Sequence, residues 1–290
     1  MTAVEPTAAT PSPRLRPERP AMLWAGTALL SLLTLLAVLA PLIAAHSPSA
    51  VSGQALQPPS ASHWLGTDVP GRDLFAQLVH GARASLTVAV VAGLLAVIGA
   101  VFLGVLPALL GGWVDALAVR AVVFVLALPG LPLLIVAGAL AGDSRLAVIL
   151  LIGLLGVAPN ARILRSQTVS LRQRGFIVSA RGFGGGPLYV VRRHLLPGLG
   201  PLVVIGFVNW AGVAIGLEAG LSFLGIGDPG GVSWGLTLNR ALGEPGIYFS
   251  DMWTWWVLPA GLGITAAVVG FTFVGVALEP RFNPRWLRSS

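Results

Sequence analysis

Uncharged apolar runs constrain this chain more than any other feature. Residues 22–45, 85–110, 121–141, 199–217 and 253–278 contain no Asp, Glu, Lys or Arg, and residues 146–161 form a sixth, shorter run. About 20 such residues cross a bilayer as a helix, because a helix satisfies its own backbone groups where no water can. The pattern predicts an all-α, polytopic membrane protein with six transmembrane helices, the fourth extending into its polar flank. Charged residues are 10% of the 290, against about 25% in a soluble domain. A secretory signal precedes a soluble mature chain, whereas here five more runs follow the first, so residues 22–45 read as an uncleaved helix.

The basic residues fix an expected orientation. All 18 are arginine, and cytoplasmic segments carry the excess of positive charge. With both termini inside, the cytoplasm receives Arg14, Arg16, Arg19, Arg120, the seven arginines from Arg162 to Arg193, and Arg281, Arg285 and Arg288. The outer side keeps Arg72, Arg83, Arg145 and Arg240. The expected organisation is a disordered cytoplasmic tail over 1–21, a first transmembrane helix over 22–45 and an external segment over 46–84. A core of five helices over 85–281 follows, with a cytoplasmic loop over 162–198, and a cytoplasmic tail over 282–290.

Composition also excludes chemistry. Without lysine there is no P-loop and no Schiff base; without cysteine there is no disulfide, thiolate nucleophile or zinc–thiolate site. The arginines lie between apolar runs rather than among exposed aromatics, so the positive charge points to topology and not to nucleic acid. A proton-coupled carrier places acids or histidines inside several spans, and an intramembrane hydrolase needs a nucleophile and base at membrane depth. The runs here hold neither, and the four histidines fall in loops or at span ends.

The 162–198 loop carries the most specific pattern. "SQTVSLRQRGFIVSARGFGGGPLYVV" reads as two short helices around a Gly–Pro turn, a compact knob presenting Arg181, Phe183 and Tyr189 for docking into a groove. A basic loop on anionic headgroups is the plainer reading of its charge. The stretch "SARGFGGGPLYVVRRHLLPG" resembles the coupling motif of permease subunits in binding-protein-dependent ABC importers: E-A-A, three residues, G, nine residues, I-x-L-P. Ala180, Gly184, Leu196 and Pro197 fall at matching positions, while Val178, Ser179 and His194 replace the glutamate, first alanine and isoleucine. "RRHLLP" fits the variant of the dipeptide, oligopeptide and nickel branch. "HWLGTDVPGRDLFAQLVHGARASL", "ARILRSQTVSLRQRGFIVSAR", "EAGLSFLGIG" and the following "SWG" are similar, in order, to the C-type permease of that branch. The triple glycine Gly184 to Gly186 departs from the family pattern and leaves the stiffness of the loop open.

The resemblance implies a type I (MetI-like) ABC importer permease in the bacterial inner membrane, catalytically inert and forming half of a pathway for di- or oligopeptides. Nickel chelates, haem, opines and glycosides are alternative solutes. It implies a second, B-type permease, one or two ATP-binding cassette subunits and an external solute-binding protein as partners, alongside membrane lipid. This chain binds no cofactor on that reading; ATP and Mg²⁺ sit in the ATPase partners. The coupling residues it implies are Ser179, Ala180, Arg181, Phe183, Gly184, Tyr189, His194 and Pro197.

Three further features can be read from residue chemistry. "GTDVPGRD" spells a turn in which Arg72 and Asp73 can pair locally, making Asp68, Arg72 and Asp73 an external brace or a contact for the binding protein. Glu218, the acid bordering the fifth span, either lines an outer gate, where it would receive a substrate amine, or caps a neighbouring helix end. Trp253, Trp255 and Trp256 are expected as interfacial anchors. His46, His63 and His80 suit no single helical face and are expected as scattered surface residues, with no metal site.

Overall fold

A computed structural model describes residues 20–282. The expected tail over 1–21 therefore lies, up to residue 19, outside the described residues, as do residues 283–290. Among the described residues the regular structure is helical, with irregular connections and two isolated bridges in the 46–84 segment, Val51 with Arg72 and Thr67 with Asp73.

Helix α1 spans Pro20–Ile43, α2 Leu74–Ala100, α3 Leu106–Leu110, α4 Gly112–Ala127, α5 Gly130–Leu140 and α6 Arg145–Arg172. They are followed by α7 Gly175–Gly182, α8 Pro187–Val190, α9 Leu196–Phe223, α10 Trp234–Leu242, α11 Met252–Trp255 and α12 Val257–Phe282. Among the described residues, five helical stretches are long and apolar enough to span: Pro20–Ile43, Leu74–Leu110, Arg145–Arg172, Pro187–Phe223 and Met252–Glu279. The short run at 146–161 does extend into its polar flank, as its length demanded.

The expected span over 121–141 is broken by a bend. Helices α4 and α5 meet at 87°. Leu128 precedes Pro129, and the proline ring drives it out of helical geometry to φ −76°, ψ 138°. This bent pair, starting at Gly112 rather than Ala121, is the sixth candidate crossing by length and composition.

Helix α2 is the central post, packed on α6, α9 and α1. Its buried positions are mostly small, among them Ala76, Ala82, Ala89, Ala92, Gly93 and Ala96, which lets helix backbones approach closely where lipid offers no hydrophobic drive for association. At Gly156 of α6 an added Cβ would lie 2.3 Å from the Trp210 indole and 2.6 Å from Ala96. Trp210 donates its Nε1–H to the Ile152 carbonyl at 3.2 Å, tying α9 to α6.

Two turns in the long spans are widened, at Val101–Val105 and Val191–Leu195, where Leu106 N–H bonds the Val101 carbonyl and Leu196 N–H the Val191 carbonyl. Each ends two residues before a proline, Pro107 and Pro197. Proline lacks an N–H and crowds the carbonyl four residues back, so an i→i−5 turn just ahead of it relieves both defects. Both widened turns join one core near the ends of α2, α6 and α9: Val105, Leu109, Ala161, Leu164, Val191 and Leu195.

Trp234 plugs the opposite end. It is 1% exposed, donates Nε1–H to the Leu78 carbonyl at 2.9 Å and fills the space left by Gly81 and Gly263. The "SWG" stretch is thereby explained: Ser233 caps α10 by accepting from Leu236 N–H, and Gly235 rests on the Ala219 carbonyl. Trp256, expected as an interfacial anchor, is instead 2% exposed in a cluster with Leu74, Ala241 and Ile247. Trp253 keeps the exposed setting an anchor needs. The difference follows from α11, which ends at Trp255 and turns the next side chain inward.

Candidate functional site

The loop between the fourth and fifth long runs folds as two short helices around a turn, α7 and α8. Ile177, Val190, Val191, Leu195 and Leu199 are buried in the core that holds Val105, Leu109 and Ala161, so the loop is seated on the helix ends. Other apolar side chains of the loop are bare: Phe183 is 93% exposed, Leu188 75% and Tyr189 55%. His194 lies between Phe176 and Tyr189, with ring centroids 5.9 Å and 5.7 Å away, and holds the two aromatics on one face. Ser179 and Pro197 are exposed and Ala180 is half-buried. Arg181 belongs to α7, but its side chain lies outside the described residues.

Gly184 ends α7 in the left-handed region, at φ 85°. Phe183 N–H bonds the Ser179 carbonyl at 3.0 Å and Gly185 N–H the Ala180 carbonyl at 2.9 Å. A 6→1 bond closed by a left-handed glycine is a Schellman motif, a defined stop that satisfies the free carbonyls at the helix end. The glycine run is therefore a specified turn and not a slack one.

Helix α6 is clipped to the α3–α4 corner nearby. Arg165 donates from Nε and Nη2 to the two carboxylate oxygens of Asp115 at 2.7 and 2.8 Å, and Arg172 donates from Nη1 to the Ala108 carbonyl at 2.7 Å. Sequence reasoning missed this pair. Its only signal was an isolated aspartate, Asp115, beside an otherwise uncharged run.

The segment over 46–84 is knitted around the "GTDVPGRD" turn. Gly71 N–H bonds the Asp68 carbonyl at 2.9 Å, Asp68 Oδ1 accepts from Arg72 N–H at 2.7 Å, and Asp68 Oδ2 accepts from Gln77 Nε2 at 2.8 Å. Thr67 bridges Gln54 and Gln57. The turn is as expected, but the Arg72–Asp73 pair is not. Asp73 caps α2, with Oδ1 accepting from Ala76 N–H at 2.7 Å, and turns Oδ2 to His63 Nδ1 at 2.8 Å and His46 Nδ1 at 3.4 Å. A capping carboxylate is committed to its helix N-terminus, and its side chain cannot swing back to the preceding residue. The histidines are accordingly not scattered: His46 and His63 meet on Asp73, while His80 stands apart, its Nδ1 on the Ala76 carbonyl of its own helix.

Glu218 is 4% exposed within α9. Its Oε2 accepts from Ser85 Oγ of α2 at 3.0 Å and its Oε1 from Ser222 Oγ at 2.9 Å. Both bonds come from side chains, so the carboxylate links helices rather than capping one. It lines a cavity of about 30 Å³, room for one water, with Arg145, Asp228 and Ser233. Arg240 covers this end, donating from Nη2 to the carbonyls of Pro229 and Gly231 at 2.8 and 3.3 Å. Burial, with the charge of Arg72 added, lowers the pKa of its guanidinium below the usual arginine value.

Comparison with known proteins agrees with this architecture. Residues 100–288 match the family described as "Binding-protein-dependent transport system inner membrane component". A dipeptide transport system permease protein of Alkalihalophilus pseudofirmus is 34% identical over 267 residues, covering 90% of this chain and 84% of the relative. Its Bacillus subtilis counterpart is 32% identical over 280 residues, covering 95% and 85%. A glutathione transport system permease protein of Pectobacterium atrosepticum is 32% identical over 228 residues, covering 78% and 74%. With a membrane-spanning helical core, a helical knob at one end and similarity along nearly its whole length, the chain belongs to the family of inner-membrane permease components of binding-protein-dependent ABC importers.

Proposed function

We propose that this chain forms half of an ATP-driven import pathway for di- or oligopeptides, and that the α7–α8 knob receives the stroke of a partner ATPase. The apolar–aromatic face of Phe183, Leu188 and Tyr189 carries the reading. An unpaired face of this kind on a loop rooted in the spans has the anchors of a protein interface, where aromatic residues contribute most. Peptide as the solute is supported by the relatives, which are named as dipeptide and glutathione transport permeases. The partners on this reading are a B-type permease, one or two ATP-binding cassette subunits that hold ATP and Mg²⁺, and an external solute-binding protein. The chain itself is catalytically inert, since it lacks the lysine a P-loop needs.

Both termini and the knob are assigned to the cytoplasm. Supporting this, segments that the arginine bias places outside gather together: Leu56, Leu65, Ala241, Ile247 and Trp256 form one cluster. ATPase closure moves the knob as a rigid body, and the α6 clip at Asp115 and Ala108 carries that motion to the α3–α4 corner. On this reading Glu218, tied to Ser85 and Ser222 beside Arg145 and Asp228, borders the external gate and meets a substrate amine only once the gate opens.

The test is uptake of labelled peptides by the assembled importer carrying Gly184→Glu. Insertion persists, the ATPase no longer copurifies and uptake is lost. Normal uptake with the ATPase bound returns the loop to a membrane-surface role. A cysteine placed at Phe183 is the only thiol in the chain and crosslinks to a cysteine in the ATPase groove in an ATP-dependent manner.

A further inference from the structure

We infer that His46, His63 and Asp73 form a binding site for a divalent transition metal of the zinc type at the junction of α1 and α2. The three residues come from separate segments: His46 just past the end of α1, His63 in the external segment, and Asp73 at the cap of α2. One ligand atom from each residue lies within 4.8 Å of the others, and His46 Nδ1 and His63 Nδ1 both approach Asp73 Oδ2. The two imidazoles stack with centroids 4.8 Å apart at 29° and present the same ring nitrogen to the same carboxylate oxygen.

Distances favour a shared cation over hydrogen bonds alone. The His63 contact, 2.8 Å, is a good N–H···O bond, but the His46 contact of 3.4 Å is beyond the usual 2.7–3.2 Å range. Zn–N bonds of about 2.0–2.1 Å and Zn–O bonds of about 2.0–2.2 Å give a tetrahedral edge of about 3.3 Å. The two contacts to Asp73 Oδ2 are within half an ångström of that edge, and the third separation, within 4.8 Å, closes toward it by an approach of the two imidazoles when the ion is seated.

The surroundings hold the donors in place. Asp73 Oδ1 is pinned by Ala76 N–H, which orients Oδ2, the support that metal ligands normally receive from a second layer of hydrogen bonds. His63 is 4% exposed, and its ring has room only because position 53 is glycine, where a Cβ would lie 2.9 Å from Nε2. Two imidazoles and one carboxylate suit zinc and its neighbours rather than magnesium or calcium, which prefer all-oxygen sets. Three protein ligands leave a fourth position for water or for a carboxylate of a docked protein. The ion would clip the end of α1 to the start of α2, at the end of the bundle away from the α7–α8 knob.

The experiment uses the assembled importer in lipid nanodiscs, purified through a tag without histidine and stripped with chelator. Zn²⁺ is titrated against a chromophoric competitor, and Co²⁺ is added separately as a spectroscopic probe. The wild-type complex binds one more Zn²⁺ than the His46→Ala complex, or binds it at least about 10-fold more tightly. Co²⁺ gives visible bands of four-coordinate intensity in the wild type only. His46 is the clean position, being half-exposed and outside the α2 cap; His63→Gln is the second variant, and His80→Ala leaves binding unchanged. Equal Zn²⁺ stoichiometry and affinity in wild type and His46→Ala, or no Zn²⁺ binding by either, overturns the site.

Discussion

The three consecutive glycines of the α7–α8 loop are not equivalent, and their substitution separates a specified turn from a slack one. Gly184 sits at φ 85°, yet an added Cβ there meets nothing within 4 Å. The cost of Gly184→Ala is therefore backbone strain alone, about 1–2 kcal/mol for an L-residue in the left-handed region, or a factor of about 5–30 in the population of the ordered loop. Asparagine visits that region more readily, so Gly184→Asn costs less. At Gly185 the added Cβ lies 2.5 Å from the Ala180 carbonyl, the acceptor of Gly185's own N–H. Gly185→Ala must give up that bond, about 0.5–1.5 kcal/mol. Gly186 has φ −66°, ψ 164° and open space around its Cβ position. Gly186→Ala narrows the unfolded ensemble at no native cost, a gain of about 0.4–1 kcal/mol. Titrating the partner ATPase onto the nanodisc-embedded permease pair reads these differences as shifts in half-saturation. The expected order of affinity is Gly186→Ala at or above wild type, then Gly184→Asn, then Gly184→Ala. If Gly186→Ala weakens docking as much as Gly184→Ala, or Gly184→Ala docks like wild type, the ordered turn is not what the ATPase recognises.

Glu218→Gln keeps an oxygen acceptor between Ser85 and Ser222 and leaves thermal stability of the complex near wild type, whereas Glu218→Ala strands a buried serine hydroxyl and costs about 1–3 kcal/mol. Both variants lower peptide uptake if the carboxylate meets the solute, and unchanged uptake by Glu218→Gln removes it from the pathway. A double-mutant cycle on Asp115→Ala and Arg165→Ala, read by thermal unfolding, gives a coupling of about 0.5–3 kcal/mol for the bidentate pair; zero coupling means that the clip carries no load. Reporter fusions after Ala45 and Gly231 report the outside and fusions after Arg174 and Ser290 the cytoplasm, and the reverse pattern inverts the assigned topology.

What the sequence made legible, it made legible through short-range rules. Charge-free runs found the spans because crossing a bilayer demands local length and apolarity. The Gly–Pro punctuation found α7 and α8 because helix stops are written within a few residues. The bend at Leu128–Pro129 was also written locally, but an apolar run continues through it, and hydropathy is blind to backbone direction. Contacts between segments were out of reach. Asp115 and Arg165 are 50 positions apart, and Ser85 and Glu218 are 133. His46 and His63 were set aside with His80 because no single helical face could hold them; their meeting on Asp73 depends on how the 46–84 segment folds back on α2, not on periodicity. Asp73 shows the mechanism of the error most plainly. Its neighbour Arg72 offered an ion pair, but the α2 N-terminus competed for the same carboxylate and won, because capping satisfies backbone donors that have no other partner.

The two widened turns connect the knob to the spans in a way that bears on transmission. A continuous α-helix running from α8 into α9 would pass any push at the knob directly along its axis. Here the turn at Val191–Leu195 lies between them, followed by Pro197, which has no N–H to tie that stretch back to the preceding turn. The same arrangement stands at Val101–Val105 and Pro107, at the end of α2. Both turns pack in one core, whose members Ala161 and Leu164 belong to α6. Displacing α7 and α8 therefore loads α6 and two weakened turns at once, while the small-residue contacts of α2 with α6 and α9 resist bending further up the bundle. On the proposed import role, stiff spans with widened turns at their knob end would let a rigid-body input tilt whole helices, the motion needed to open one side of a pathway while closing the other.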